Sequence, residues 1–176
     1  TLVWKVAAID TAYKRGPWTA LKTNVPPPVC SNANTGATYV TIQAGVNAAL
    51  TGQTIHVFDG LHNENVTFSS RTNITLVSRS WAQSGVATNA RIAPGAGAAV
   101  TINSFSRGIA IRGIGVWGAN PGVGFFSSAE SNIVENCVFH SNGMAVNEDG
   151  TARRNRIADS ILRRGGAVSA IDTASH

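Results

Sequence analysis

The sequence predicts an all-β fold: a right-handed parallel β-helix, which is a solenoid of about five coils, with a short N-terminal capping helix. Apolar positions recur every 23 residues in the C-terminal half of the chain, and a fixed period in this range is typical of repeat solenoids. Inside each repeat the residues alternate with period two, as in Cys137 inward, Val138 outward and Phe139 inward. That alternation is the pattern of a strand.

The repeat is read from three successive blocks, 107–129, 130–152 and 153–175. Strands that recur once per coil lie parallel to their copies at roughly 4.8 Å, so equivalent residues stack in columns. One inward column is expected to contain Val116, Phe139 and Leu162. A second column, at a tight turn between two strands, is expected to contain Gly113, Asn136 and Asp159. Such a column can form a side-chain amide ladder.

The coils upstream are less regular. Their predicted strands are Thr54–Val57, Val66–Phe68, Ile74–Val77, Arg91–Ile92 and Val100–Ile102, with an outward loop over residues 81–89. Before them, a helix is predicted over Ile42–Leu50, with Thr41 as its N-cap and Gly52 just beyond its end. Its apolar face, Ile42, Val46, Ala49 and Leu50, would cover the open end of the solenoid, where apolar core and strand edges are otherwise exposed.

Composition limits the class of protein. The 176 residues include 18 Gly and only 13% charged residues, and no apolar run approaches the roughly 18 residues of a membrane span. The net charge of +5 comes mainly from having few acids, and basic residues concentrate near the end, at Arg153, Arg154, Arg156, Arg163 and Arg164. These form either a patch for a polyanion or a solvated basic face. The chain begins at Thr1 without Met, so it is processed, trimmed or partial, and we expect a secreted or periplasmic (extracellular) protein.

The two cysteines have different settings. Cys30 lies in a Pro-rich stretch interpreted as a loop, and Cys137 lies in an apolar strand. A disulfide and two free thiols are both open. Since Cys137 falls in an inward column, we expect it to be buried and inert, with a raised pKa.

The stretch TIQAGVNAALTGQTIHVFDGLHNENVTF, followed by NITLVS, resembles the N-terminal cap and first coils of the pectin-lyase-like superfamily. The closest patterns are those of pectin methylesterases and periplasmic parallel β-helix repeat proteins. The family's glycine-x-tyrosine-x-glutamate motif corresponds to residues 60–64, with His62 at the tyrosine place, and implies fold alone. The resemblance covers residues 38–176, taken as the β-helix domain, and leaves 1–37 as an extension of unknown role.

The resemblance does not carry an esterase activity. Where the two aspartate motifs of pectin methylesterases should fall, this chain has His140–Met144 and Gly165–Val168, and no Arg-x-Trp sequence follows them. If the protein is an enzyme, the resemblance therefore implies a polysaccharide lyase or a glycoside hydrolase.

Trp117, His140 and Arg163 are spaced 23 residues apart and follow inward residues, so they should point outward in one column. An aromatic ring, an imidazole and a guanidinium in a row suit an acidic polysaccharide such as a uronate chain, with Arg164 and Arg112 flanking. The alternatives are an ordinary exterior ladder or the floor under a packed loop.

A weaker candidate is a Ca²⁺ site formed by Glu148, Asp149 and Asp172, because Asp172 follows one of the other two by 23 or 24 residues. The alternative is a loop in a frayed end. No other cofactor is expected. His140 is a further, weak candidate as a catalytic base, since a lone histidine on a solvated strand usually has no catalytic role.

Two hypotheses about function remain. One is a secreted protein that recognises or processes an acidic polysaccharide. The other is a structural module that self-associates through an uncapped C-terminal coil. Nucleic-acid binding is a third and weaker hypothesis, because no recognition motif accompanies the arginines.

Overall fold

The computed structural model describes residues 25–85 and 89–164, and in addition the backbone of the strands Val3–Trp4, Lys22–Thr23 and Ala167–Ser169. It is a parallel β-solenoid of about five coils with two short helices, which confirms the predicted fold class. Within these residues no helix is both long and apolar enough to cross a membrane.

Each of the five coils contributes one strand to each of three sheets. The strands before the first coil are β1 (Val3–Trp4), β2 (Lys22–Thr23), β3 (Cys30–Asn32) and β4 (Thr38–Tyr39). The first two coils contain β5 (Thr54–Val57), β6 (Gly60–His62), β7 (Val66–Ser69), β8 (Thr75–Ser78), β9 (Ala90–Ile92) and β10 (Val100–Asn103). The last three contain β11 (Ala110–Arg112), β12 (Gly115–Trp117), β13 (Val123–Phe125), β14 (Ile133–Glu135), β15 (Val138–His140), β16 (Met144–Glu148), β17 (Arg156–Ala158), β18 (Ile161–Arg163) and β19 (Ala167–Ser169). The helices are α1 (Ile42–Ala48) and α2 (Arg79–Ser84).

The first sheet has the order β17-β14-β11-β8-β5-β3-β4, the second β18-β15-β12-β9-β6, and the third β19-β16-β13-β10-β7. Strands from successive coils are parallel, whereas β3 is antiparallel to both β4 and β5. The first sheet therefore extends into the segment set apart above as residues 1–37. The division of the chain at residue 38 itself stays a prediction. β1 and β2 form a separate antiparallel pair.

The predicted register is confirmed. Val116 pairs with Phe139 and Phe139 with Leu162, and the first two are fully buried. Leu162, in the last coil, is 43% exposed. Val138 lies on the outer face as predicted, yet it retains only 8% exposure, so outward position in this sheet does not mean contact with water.

The second coil is longer than the others. Thr75 pairs with Ala110, 35 positions on, whereas Ala110 pairs with Ile133, 23 positions on. The additional residues hold α2, so the predicted loop over 81–89 is in part a helix, while residues 86–88 lie outside the described residues. Ser78 caps α2 by accepting a hydrogen bond from the backbone N–H of Trp81 at 3.4 Å.

The turn column is confirmed, but the amide ladder forms elsewhere. Gly113, Asn136 and Asp159 all have left-handed backbone, with φ of 63°, 53° and 46°. The ladder is made by Asn132 and Asn155, where Asn132 Nδ2 donates to Asn155 Oδ1 at 2.9 Å. Asn132 is 1% exposed. A hydrogen bond between side-chain amides contributes more where water cannot compete for it.

The capping helix is shorter than predicted. Thr41 is its N-cap, as predicted, and Thr41 Oγ1 accepts a hydrogen bond from Ala44 N at 3.1 Å. The helix ends at Ala48, and the C-cap Ala49 has an extended backbone with ψ of 136°. Leu50 thus leaves the helical face and is 68% exposed, so its placement on the buried face was wrong. Arg71 closes this end by donating to the carbonyls of Ala49 and Asn47.

The motif residues tie α1 to the first coil. Glu64 accepts hydrogen bonds from the backbone N–H groups of Ile42 at 2.9 Å and Gln43 at 3.1 Å. These donors have no partner inside the helix, and the helix dipole favours an anion there. The Gln43 side chain in turn pairs with both the N–H and the C=O of Thr67 in β7. It therefore takes the place of a further strand at the edge of the third sheet.

Both cysteines are free and buried. Cys137 is buried as predicted, and desolvation raises its pKa to about 12. Cys30 lies in the strand β3 rather than in a loop, which corrects the sequence interpretation. Burial also raises the Cys30 pKa to about 12, and its sulfur packs closely against Gly45 of α1.

Candidate functional site

The outer face of the second sheet carries the predicted column. Trp117 pairs with His140 and His140 with Arg163 in parallel register. The column is therefore continuous over three coils. Trp117 and His140 are half-buried, and Arg163 is exposed. Whether this column binds a ligand stays a prediction.

The indole of Trp117 is covered on both faces. Its ring stacks on the His140 imidazole with centroids 4.7 Å apart and planes at 22°. The guanidinium carbon of Arg91 lies 5.1 Å from the indole centroid. Because β9 and β15 flank β12 on opposite sides, Arg91 and His140 cover opposite faces. A sugar therefore cannot stack flat on this indole, and contact is restricted to its edge.

Gly115 makes this packing possible. A Cβ atom at Gly115 would lie 3.0 Å from Arg91 Cγ and 3.2 Å from Trp117 Nε1, so a side chain there would displace both. Arg91 was missed in the sequence because it comes from the 35-residue coil, outside the regular repeat, and is in register with Gly115 rather than with Trp117. The row of four side chains, hereafter the outer row, is Arg91, Trp117, His140 and Arg163.

The outer row is cationic. The five strands of the second sheet contain two arginines, Arg91 and Arg163, and no Asp or Glu. Arg164 follows directly at the next corner, exposed and in left-handed backbone with φ of 52°. His140 Nδ1 lies 2.9 Å from the hydroxyl of Ser141, which occupies one of its two ring nitrogens.

Arg112 is not brought into the outer row. It lies in the first sheet, where its Nε is 2.6 Å from Glu135 Oε1, although the N–H is poorly directed at that oxygen. The corner between the two sheets is Gly113, and the side chain of Trp81 from α2 lies directly against it. Arg112 is thus paired with Glu135, and the corner at Gly113, covered by Trp81, separates it from the outer row.

The residues of the predicted Ca²⁺ site face different directions. Glu148 continues an inward column below Ile102 and Phe125, is 8% exposed, and accepts a hydrogen bond from Asn155 Nδ2 at 2.6 Å. Asp149 lies at the adjoining corner turn. Its two oxygens accept four hydrogen bonds, from the N–H groups of Ser127, Thr151 and Ala152 and from the Thr151 hydroxyl.

These bonds, that from the Thr151 hydroxyl above all, lower the pKa of Asp149. Asp172 lies outside the described residues. The offset between paired residues of β16 and β19 is 23 positions at Met144 and Ala167 and 22 at Val146 and Val168. The offset of 24 that would align Asp172 with Glu148 therefore does not occur in this strand pair. In the described part of the chain no group of three or more His, Cys, Asp or Glu residues could hold a metal ion. The Ca²⁺ site stays a prediction.

Comparisons with known proteins add little. No protein family profile matches the chain, and no curated protein matches it. Among solved structures, the chain is similar to a protein from Parabacteroides merdae ATCC 43184 that is provisionally assigned as a glycosyl hydrolase, with 13% identity and a TM-score of 0.29. The match covers 73% of this chain and 90% of that one. A similarity of this size supports no inference about activity, and membership of the pectin-lyase-like superfamily stays a prediction.

Secretion and self-association through the last coil also stay predictions. Residues 170–176, which would close or expose that coil, lie outside the described residues.

Proposed function

We propose that the protein binds an acidic polysaccharide of the uronate type along the outer row. The observation that carries this proposal is the row itself: it crosses four consecutive coils, from Arg91 to Arg163, on a sheet whose strands contain no acidic residue. Three strand spacings separate its ends, roughly 14 Å. A uronate chain presents one carboxylate per sugar residue, so a chain lying along the row meets a cation at each end.

The stacked rings hold one of these cations, Arg91, in place. Arg91 is fixed over the indole, and His140 over the opposite face. Preorganised cations lose less side-chain entropy on binding than free surface arginines do. Binding is favoured over hydrolysis on this face, because glycoside hydrolysis uses a pair of carboxylic acids and these five strands supply none.

The proposal is tested by calorimetric titration of hexagalacturonate into the protein and into its Arg91→Gln and Arg163→Gln variants. Each variant should bind at least tenfold more weakly, about 1.4 kcal/mol, and affinity should fall as salt screens the exposed charges. Arg156→Gln is the matched control, since it removes the same charge from an exposed strand of the first sheet. Equal affinity in all three variants would exclude the outer row as the site.

A further inference from the structure

An exposed phenylalanine at a different corner of the solenoid has no structural explanation. Phe105 is 75% exposed, the most exposed of the large apolar side chains in the described residues. Its φ is 62°, in the left-handed region that a bulky residue enters only at a cost in free energy. The equivalent position in the next coil, Ser128, has the same backbone but a small polar side chain, which suits such a turn. The left-handed backbone at Phe105 therefore costs free energy, while its exposed ring contributes little to the core in return.

A cleft lies beside Phe105. It has a volume of about 390 Å³ and is lined by Ser128, Glu130, Gly150, Thr151 and Arg153. Phe105 is not itself one of the lining residues, but its backbone N–H donates to the carbonyl of Ser127 at 3.0 Å, so its backbone is about one strand spacing, roughly 4.8 Å, from that of Ser128. The cleft is on the corner between the third and first sheets, away from the outer row.

The cleft holds hydroxyls and both signs of charge. Thr151 Oγ1 accepts a hydrogen bond from the N–H of Ser128 at 3.0 Å, which fixes one wall. Glu130 is paired with Arg154 at 3.4 Å, at an exposed site where such a pair is readily opened by a competing ligand. Arg153 is exposed and forms no ion pair with any described residue.

We propose that Phe105 and this cleft bind one pyranose residue of a glycan. The C–H face of the sugar lies on the phenyl ring, and its hydroxyls donate to Glu130 and accept from Arg153. A pyranose has one apolar face, which can pack on an aromatic ring, and a rim of hydroxyl groups, which can form hydrogen bonds with the polar side chains of the cleft. A phosphorylated ligand fits less well, because a phosphate group offers no apolar face to the phenyl ring. The inference concerns a different face from the outer row and does not depend on it.

The test uses the full chain, labelled with ¹⁵N, and follows backbone amides while hexagalacturonate or cellohexaose is added. The two sugars distinguish an acidic from a neutral glycan. At least one of the two sugars should shift the backbone amide signals of residues 105, 128 and 151. Phe105→Asn should bind that sugar at least fivefold more weakly, about 1 kcal/mol. Leu50→Asn removes another exposed apolar side chain, at 68% exposure, and should change nothing.

Thermal denaturation separates binding from folding. Since Asn tolerates left-handed backbone better than Phe, Phe105→Asn should melt at the same temperature as the parent protein or higher. A lower melting temperature would show that the ring has a packing role and would overturn the proposal. Absence of shifts at this corner with both sugars, or undiminished affinity of Phe105→Asn, would overturn it too.

The outcome is independent of the outer row. If Arg163→Gln weakens hexagalacturonate binding while the shifts at residues 105, 128 and 151 persist, the two sites are separate and both proposals hold. If only Phe105→Asn weakens binding, the proposed function fails and this inference stands.

Discussion

Glu64 should be one of the most important side chains for stability outside the core. Its carboxylate holds the first two N–H groups of α1, and α1 covers the N-terminal end of the solenoid. Replacing Glu64 by Ala leaves both donors without their acceptor and removes a negative charge from the positive end of the helix dipole. We therefore expect Glu64→Ala to lower the free energy of unfolding.

The magnitude follows from the two bonds. A hydrogen bond to a charged group contributes about 1.5–3 kcal/mol, and because Glu64 is only half-buried the lower end applies. Water replaces part of the loss, so the expected destabilisation is about 2 kcal/mol. For a chain of this size that corresponds to a fall in melting temperature of roughly 4–8 °C. Glu64→Gln keeps an acceptor oxygen without the charge and should lose about half as much.

Urea denaturation, followed by far-ultraviolet circular dichroism, measures the free energy of unfolding. If the slope of that free energy against urea concentration (the m-value) is the same as in the parent protein, the folded state of the variant is intact. The matched control is Glu130→Ala, which removes the same charge from an exposed ion pair with Arg154 and should cost less than about 1 kcal/mol. If Glu64→Ala is no more destabilising than Glu130→Ala, then the capping role assigned to Glu64 is wrong.

Three further outcomes are expected. Gly113→Ala should destabilise the fold more than Gly118→Ala, by about 1–3 kcal/mol. Both glycines have left-handed backbone, but only at Gly113 would the new Cβ clash with Trp81 of α2. Equal melting temperatures of the two variants would refute that packing. Because hydrogen bonds lower the pKa of Asp149 in the folded protein, its contribution to stability is present above the unfolded pKa of about 3.9 and is lost as the pH falls through the lower folded value. Asp149→Asn should therefore be less stable than the parent at pH 7 and approach it in acid; a constant difference would contradict this. Cys30 and Cys137 should react with a thiol reagent only after denaturation, since both are buried with pKa raised to about 12, and rapid labelling of the native protein would disagree.

The repeat could be predicted because a strand buries every second residue, and a column through the coils forces like residues to the same position. Val116 and Phe139 therefore fixed the register of the last three coils in advance. The short strands β6, β3 and β4 could not be found in this way, since two or three residues give too little alternation to recognise. By contrast, α2 had a usable signal: Ser78 and Gly85 are standard caps at its two ends.

The candidate site was predictable in its register and not in its packing. The spacing of Trp117, His140 and Arg163 placed them together, but the covering of the indole by Arg91 depends on side-chain torsions and on a coil of irregular length. Glu148 is a different case. It follows Phe125 by 23 positions, so the repeat itself predicts that it points inward. The Glu148 carboxylate was instead interpreted from the sequence as a ligand of a Ca²⁺ site.

The ladder of Asn132 and Asn155 determines where this chain can change length. Their hydrogen bond joins equivalent positions of adjacent coils, so one residue inserted or deleted between them would leave a buried amide without its partner. The corner after Ser78 has no such constraint and already accommodates α2, in a coil of 35 rather than 23 positions. A peptide tag or a foreign loop therefore belongs after Gly85, which follows α2 and leaves the Ser78 cap and the packing of Trp81 intact. Lengthening the solenoid requires whole 23-residue units that each carry an asparagine at the ladder position.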